Sequence, residues 1–225
     1  MLTATYLSKD RPNHLKRSIL SLFSQTIKPV HIVVTDCSDN KMPIENVIKE
    51  LNEASIVPIT LVWKPKEELS RSQGRSLGRQ YVNTPIMVST ESDILFPPTL
   101  VEECLKAFGN PPEKIYVQPY WVHQDSNENI PSKPTHYKGG FFQTYRTEDF
   151  DVIGGYNPFL SGWGWEDNDF DERILAHGCK HVILPLTVVH MWHPTVANGK
   201  SNENNMRIAK NSYWDNIQKQ WAMRS

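Results

Sequence analysis

A chain of 225 residues is long enough for one full-sized domain, and a hydrophobic fraction of 39% is ordinary for a soluble globular protein. The formal net charge of −1 gives no bulk electrostatic reason to expect nucleic acid or an anionic membrane as a partner. No apolar run approaches the ~20 residues that span a bilayer, and the first seven residues lack the basic leader and cleavage site of a signal peptide. Cys37, Cys104 and Cys179 are far apart and form no Cys-x-x-Cys pair. They argue against a disulfide scaffold or structural zinc and point to a reducing, cytoplasmic setting.

In chain order, residues 3–7 are apolar and β-branched and read as a first strand. Pro12 opens a helix in which Leu15, Ile19, Leu22 and Phe23 recur at helical spacing. Residues 30–35 suit a strand buried on both faces, which ends in the polar turn Asp36-Cys37-Ser38-Asp39-Asn40. Ile44, Val47, Ile48 and Leu51 mark a second helix. Residues 59–63 follow as a strand, 71–82 as a helix and 86–90 as a fourth strand. This alternation predicts an α/β fold with an open, mainly parallel central sheet flanked by helices. Ligands of such sheets bind beyond the C-terminal strand ends, where Asp36 and Glu91-Ser92-Asp93 should lie.

The second half is less regular. Residues 114–122 and 141–145 read as strands, separated by a polar loop at 124–134. Residues 167–177 form a helix stopped by Gly178. The apolar run 182–190 contains Pro185 and reads as two short strands or one strand with an edge break. Residues 203–222 have the spacing of a terminal amphipathic helix.

Three clusters carry chemistry. Gly162-Trp163-Gly164-Trp165-Glu166-Asp167-Asn168-Asp169 packs two indoles and three carboxylates into eight residues. Indoles stack on the C–H faces of pyranoses, and a carboxylate beside an apolar wall can act as a general base. The plainer reading is an aromatic loop before an acidic first helical turn. Glu91 and Asp93, at i and i+2 of extended chain, point the same way and suit magnesium or manganese with phosphate oxygens; an acidic turn is the competing reading. Arg71, Arg75 and Arg79 share one helix stripe beside Gly74 and Gly78, where forks can meet phosphate and backbone can approach a ligand. A solvated basic stripe is the alternative there.

Residues 11–26, from Arg11-Pro12-Asn13-His14-Leu15 to Gln25-Thr26, are similar to the first-helix pattern of the family 2 glycosyltransferases. Val33-Val34-Thr35-Asp36-Cys37-Ser38-Asp39 resembles their second-strand signature, and Glu91-Ser92-Asp93 resembles the metal-associated DxD motif. Residues 154–169 resemble the acceptor-side motif of the galactosyltransferase-like branch. In this order, over residues 3–193, the chain resembles a GT-A-type glycosyltransferase. It departs from the pattern at Glu91, where Asp is usual, and at Asn168, where that branch often has an acid.

The resemblance implies a single GT-A domain. Residues 1–110 would bind a nucleotide sugar, 111–198 would hold acceptor and catalytic groups, and 199–225 would form a lid and a terminal helix. It implies Mn2+ or Mg2+, a UDP-sugar donor and a carbohydrate or glycoconjugate acceptor, through which the protein could touch a membrane. Asp36 would bind the base or ribose, Glu91 the ribose, and Arg75 or Arg79 would lie near the donor. Asp93 and His190 would be metal ligands. His193 competes with His190, because i and i+3 of a strand face opposite sides unless the chain turns sharply. Asp167 would be the base of an inverting transfer, with Glu166 on acceptor hydroxyls and Trp163 and Trp165 as sugar walls. The polar stretch 198–202 reads as a lid, with Lys200 reaching phosphate.

Two alternatives remain at this level. A nucleotidyltransferase would usually show a Gly-rich loop after the first strand, and Ser8-Lys9-Asp10-Arg11 has no glycine. A non-catalytic carbohydrate-binding module would explain the tryptophans but not the metal- and phosphate-suited residues.

Overall fold

The computed structural model describes residues 1–65, 70–123, 141–162, 164–194 and 199–210; the side chains of 120–123 and 199–202 lie outside the description. Strands β1 (Leu2–Ser8), β2 (His31–Asp36), β3 (Ile59–Trp63) and β4 (Ile86–Glu91) run parallel in the order β3-β2-β1-β4. Helices α1 (Pro12–Phe23), α2 (Met42–Ala54) and α3 (Arg71–Leu77) connect them, the last continuing into a 3-10 turn at Gly78–Tyr81. The sheet extends through β7 (Phe142–Arg146), β6 (Ile115–His123), β8 (Lys180–His190) and β5 (Ile94–Leu95) to eight strands. Four of its seven pairings are parallel, as the α/β reading expects.

The apolar run with Pro185 is one strand, in the edge-break form. Its pairing with β6 jumps from Pro119↔Leu184 to Tyr120↔Thr187. Pro185 has no N–H to donate, so it and Leu186 bulge out of the ladder.

Alternation along the strands loads both faces. Leu2, Ala4, Tyr6, Ile32, Val34 and Val88 pack with residues of α1, α2 and α4 (Leu100–Phe108). Met87, Tyr116 and Tyr145 point to the other face, with Phe150 of α5 (Thr147–Val152), Tyr156, and Phe170 and Ile174 of α6 (Glu166–Ala176). Phe170 sits at the centre of that second cluster, its ring centroid 4.5 Å from Tyr156, 4.9 Å from Tyr145 and 5.8 Å from Phe150. These rings seat α6, whose first turn carries Glu166 and Asp167.

Helix α3 lies close on β1 and β2. A Cβ at Gly74 would stand 2.7 Å from Leu7 Cδ1, and one at Gly78 would touch Thr5 and Thr35. Gly74 therefore serves helix-on-sheet packing, which corrects the expectation that it opens backbone to a ligand, and Gly78 likewise faces the sheet. Of the stretch expected as a lid, residues 199–202 form the first turn of α7 (Gly199–Lys210); residue 198, the Lys200 side chain and residues 211–222 lie outside the described residues. All three cysteines are buried and free. Among the described residues no helix is long and apolar enough to cross a membrane.

Replacing Phe170 by Ala should cost about 3–5 kcal/mol, the usual range for deleting a fully buried aromatic. The urea midpoint measures it, and a loss below ~1 kcal/mol would show that α6 is held by something other than this cluster.

Candidate active site at the C-terminal rim of the sheet

Strand β4 ends at Glu91, and Ser92 and Asp93 form a turn into β5. Strand alternation therefore stops before Asp93, and the two acids take separate partners. This corrects the expectation that they address one ligand together.

Asp93 is 1% exposed and gathers three cationic or potentially cationic groups. Arg11 Nη1 donates to its Oδ2. His193 Nε2 lies 3.2 Å from that same oxygen, and His190 Nε2 lies 3.5 Å from Oδ1. His193 reaches the site because the chain leaves β8 after His190. The Met191 N–H donates to Asp93 O at 2.8 Å, and the His193 ring then comes to 5.2 Å from the His190 ring. Both histidines thus reach Asp93 although residues 191–194 form no turn or bend. Donor atoms of Asp93, His190 and His193 all lie within 4.8 Å of one another. Arg11 Nη2 also stands 2.9 Å from His193 Nδ1.

Burial pushes the Asp93 carboxyl up. The His193 hydrogen bond and the charges of His190, Arg11 and His193 outweigh burial and hold it at about 2. The hydrogen bond to Asp93 raises His193 above the ordinary imidazole value. A divalent cation fits this set. Two imidazoles and one carboxylate converge, and the buried Asp93 Oδ1 makes no hydrogen bond among the described residues.

Glu91 turns the other way, towards α3. It accepts from Nη2 of both Arg71 and Arg75. Arg71 Nε lies 2.7 Å and Arg75 Nε 3.9 Å from Glu166 Oε1. Arg75 is buried, with its guanidinium 5.5 Å from the Tyr156 ring centroid. Burial disfavours the Glu166 carboxylate, but Arg71 and Arg75 lower its pKa below the usual glutamate value. Burial likewise opposes the Arg75 charge, and Tyr156, Glu91 and Glu166 raise its pKa regardless. Asp167, half-buried beside Glu166, also favours the charged forms of both arginines. The bridge Glu91–Arg71–Glu166 thereby joins the Asp93 turn to the helix start that carries Asp167.

The other expected residues divide. Asp36, at the end of β2, is fully buried. Its Oδ1 accepts from the Ser38 N–H at 3.0 Å, and its Oδ2 has no hydrogen bond among the described residues. An open hollow of about 210 Å³ lies nearby, lined by Asp10, Pro12, Ser38, Asn40, Pro43 and Ile44. Arg79 does not join the rim. Its guanidinium forms a two-pronged pair with Asp151 at 2.7 and 2.6 Å. Asp151 belongs to α5, which follows Arg146 opposite Ile86 at the start of β4, the end away from Glu91. Two further helical turns carried the arginine stripe away from the site, so the expectation for Arg79 is corrected. Arg75 is at the rim, but buried against carboxylates.

Trp165 caps α6 in the left-handed region, with φ of 68°, and Lys210 Nζ stands 5.0 Å from its ring centroid. Trp163 lies outside the described residues. Asn205 of α7 was not singled out in the sequence. Its side chain binds Ser161 N, Ser161 O and Gly164 O and ties the tryptophan loop to that helix. Arg11 also went unassigned, and Arg71, expected only as part of the arginine stripe, binds Glu91 and Glu166. Arg11 carried one usable signal, a cation at a helix N-cap, where the dipole disfavours it.

Solved structures share the fold of this chain. The crystal structure of GalNAc-T7 with UDP, GalNAc and Mn2+ aligns with a TM-score of 0.75 at 15% identity, over 96% of this chain and 49% of that one. The S. aureus TarS crystal structure aligns with a TM-score of 0.68 at 11% identity, over 92% of this chain and 38% of that one. The fold is that of a GT-A glycosyltransferase. The chain spans about half the length of the first relative and less of the second. A family model described as the N-terminal domain of galactosyltransferase matches residues 122–194, about a third of the chain. Comparison with curated protein sequences gives no match.

The Asp93 pKa has a signed consequence for the metal-free protein. A carboxyl held at about 2 when folded, against 3.8 ordinarily, adds stability that is present above pH ~4 and lost as pH falls towards 2. The size is about 2 kcal/mol. The stability difference between wild type and Asp93→Asn should therefore shrink by that amount across this window. Denaturant titrations at stepped pH check it, and a pH-independent difference would contradict the assignment.

Proposed function

We propose that this protein is a metal-dependent glycosyltransferase that moves a sugar from a UDP-sugar to a hydroxyl acceptor with inversion. The observation that carries the reading is the convergence of Asp93, His190 and His193 on the rim where Glu166 and Asp167 begin α6. The Mn2+ and UDP in the GalNAc-T7 structure agree with it.

Asp93, His190 and His193 would hold the cation, and the mixed oxygen and nitrogen set favours Mn2+ over Mg2+. When bound, the metal supplies charge stabilisation for a leaving diphosphate. Asp36, buried at the end of β2 with Ser8 and Ser38 around its carboxyl, would shape the site for the base or ribose. Asp167 takes the acceptor proton as its oxygen attacks the anomeric carbon from the face opposite the diphosphate. Glu166 is committed to Arg71, so in this reading it orients the turn that carries Asp167 and gives up the direct acceptor contact expected from sequence. Glu91, held by two arginines, likewise gives up the ribose contact. Trp165 offers the ring face not covered by Lys210 to a sugar. Trp163 and Lys200 keep their proposed roles as sugar wall and phosphate contact. The donor half at 1–110, the acceptor half at 111–198 and a cytoplasmic setting complete the reading. Three buried free thiols support that setting.

UDP should raise the melting temperature in the presence of Mn2+ and much less in EDTA. A panel of UDP-sugars with NMR detection of the product anomer should reveal an inverted linkage. Asp167→Asn should lower turnover by about 10²–10⁴-fold while UDP and Mn2+ still bind. Retained turnover would remove Asp167 as the base, and an unchanged anomer would remove inversion.

A further inference from the structure

Arg11 occupies an expensive position. It is the N-cap of α1 and makes no side-chain cap, and its cation faces the positive end of the helix dipole. The preceding Asp10 adopts φ of 53°, in the left-handed region that costs a non-glycine residue about 1–2 kcal/mol. The Asp10 N–H is pinned to Ser38 Oγ at 2.7 Å. These local costs hold one guanidinium where it touches two of the three candidate metal ligands, Asp93 Oδ2 and His193 Nδ1.

Arg11 Nη1 donates to Asp93 Oδ2, the oxygen that His193 Nε2 also faces at 3.2 Å, and Arg11 Nη2 stands 2.9 Å from His193 Nδ1. A divalent ion drawn to the same carboxylate and imidazoles would meet a fixed positive charge at contact distance. Like charges in so buried a place repel strongly, so Arg11 in its present place and a bound cation compete for Asp93.

We propose that Arg11 is a resident stand-in for the divalent cation. It neutralises buried Asp93 in the metal-free protein, gives up both contacts when the metal enters, and so sets the metal affinity of the site. The inference rests on the metal-dependent reading above.

Mn2+ binding without donor, followed by the EPR signal of free Mn2+, tests it in wild type, Arg11→Gln, Arg11→Lys and Asp93→Asn. Arg11→Gln should bind Mn2+ about tenfold more tightly, since a competing ion pair and a like charge are both removed. Arg11→Lys keeps the charge and should stay closer to wild type, and Asp93→Asn should lose binding. Equal or weaker binding by Arg11→Gln overturns the inference. Wild type that takes up no Mn2+ overturns the metal reading, and this inference with it. A readout on the unaltered chain covers a variant that fails to fold. Adding Zn2+ to nitrogen-15-labelled protein should shift the Arg11 guanidinium signals. Unchanged Arg11 signals at saturation count against displacement.

Discussion

The rim of this sheet depends on the arginines of α3. Arg75 is buried and Arg71 half-buried, and both reach Glu91 at the end of β4 and Glu166 at the start of α6. Desolvating such charges is costly, and only near-complete pairing offsets it. Two guanidiniums face two carboxylates, so the cluster is balanced. Removing any member would leave a buried charge without its partner. The consequence is geometric: the strand leading into the Asp93 turn and the helix turn carrying Asp167 keep one relative position.

Glu91 is the residue that makes this possible. Its side chain is one methylene longer than that of aspartate, which extends its reach towards α3. The acid-x-acid pattern is then split in function, with one carboxylate bracing the rim and the other facing the histidines. Asp93 is the more demanding of the two, since almost none of it touches water. Its surroundings supply positive charge from the Arg11 guanidinium and from two imidazoles.

Much of the architecture was legible because periodicity reports burial directly. Strands at 30–35 and 59–63 and the helices with Leu15–Ile19–Leu22 and Ile44–Val47–Ile48–Leu51 appear within a residue or two of their expected places. Asp93, His190 and the Glu166–Asp167 pair were legible because each follows or begins an element at the ligand-bearing edge. Arg79 was misplaced because spacing on a helix gives a face but not a position along the axis. Asp151 captured it at the far end of β4. Gly74 was misread because a missing side chain looks the same whether a ligand or Leu7 occupies the space.

By itself the chain determined the order of strands and helices, the sign and type of groups at each strand end, and the edge at which they collect, because these follow from local patterning. Only the tertiary structure decided partners. It folded β5 against β8 to set His190 across from the Asp93 turn, swung His193 in beside it, placed Arg11 between Asp93 and His193, and placed Arg71 between two acids remote in sequence. Pairing energies depend on distance and burial, and neither is written in any single segment.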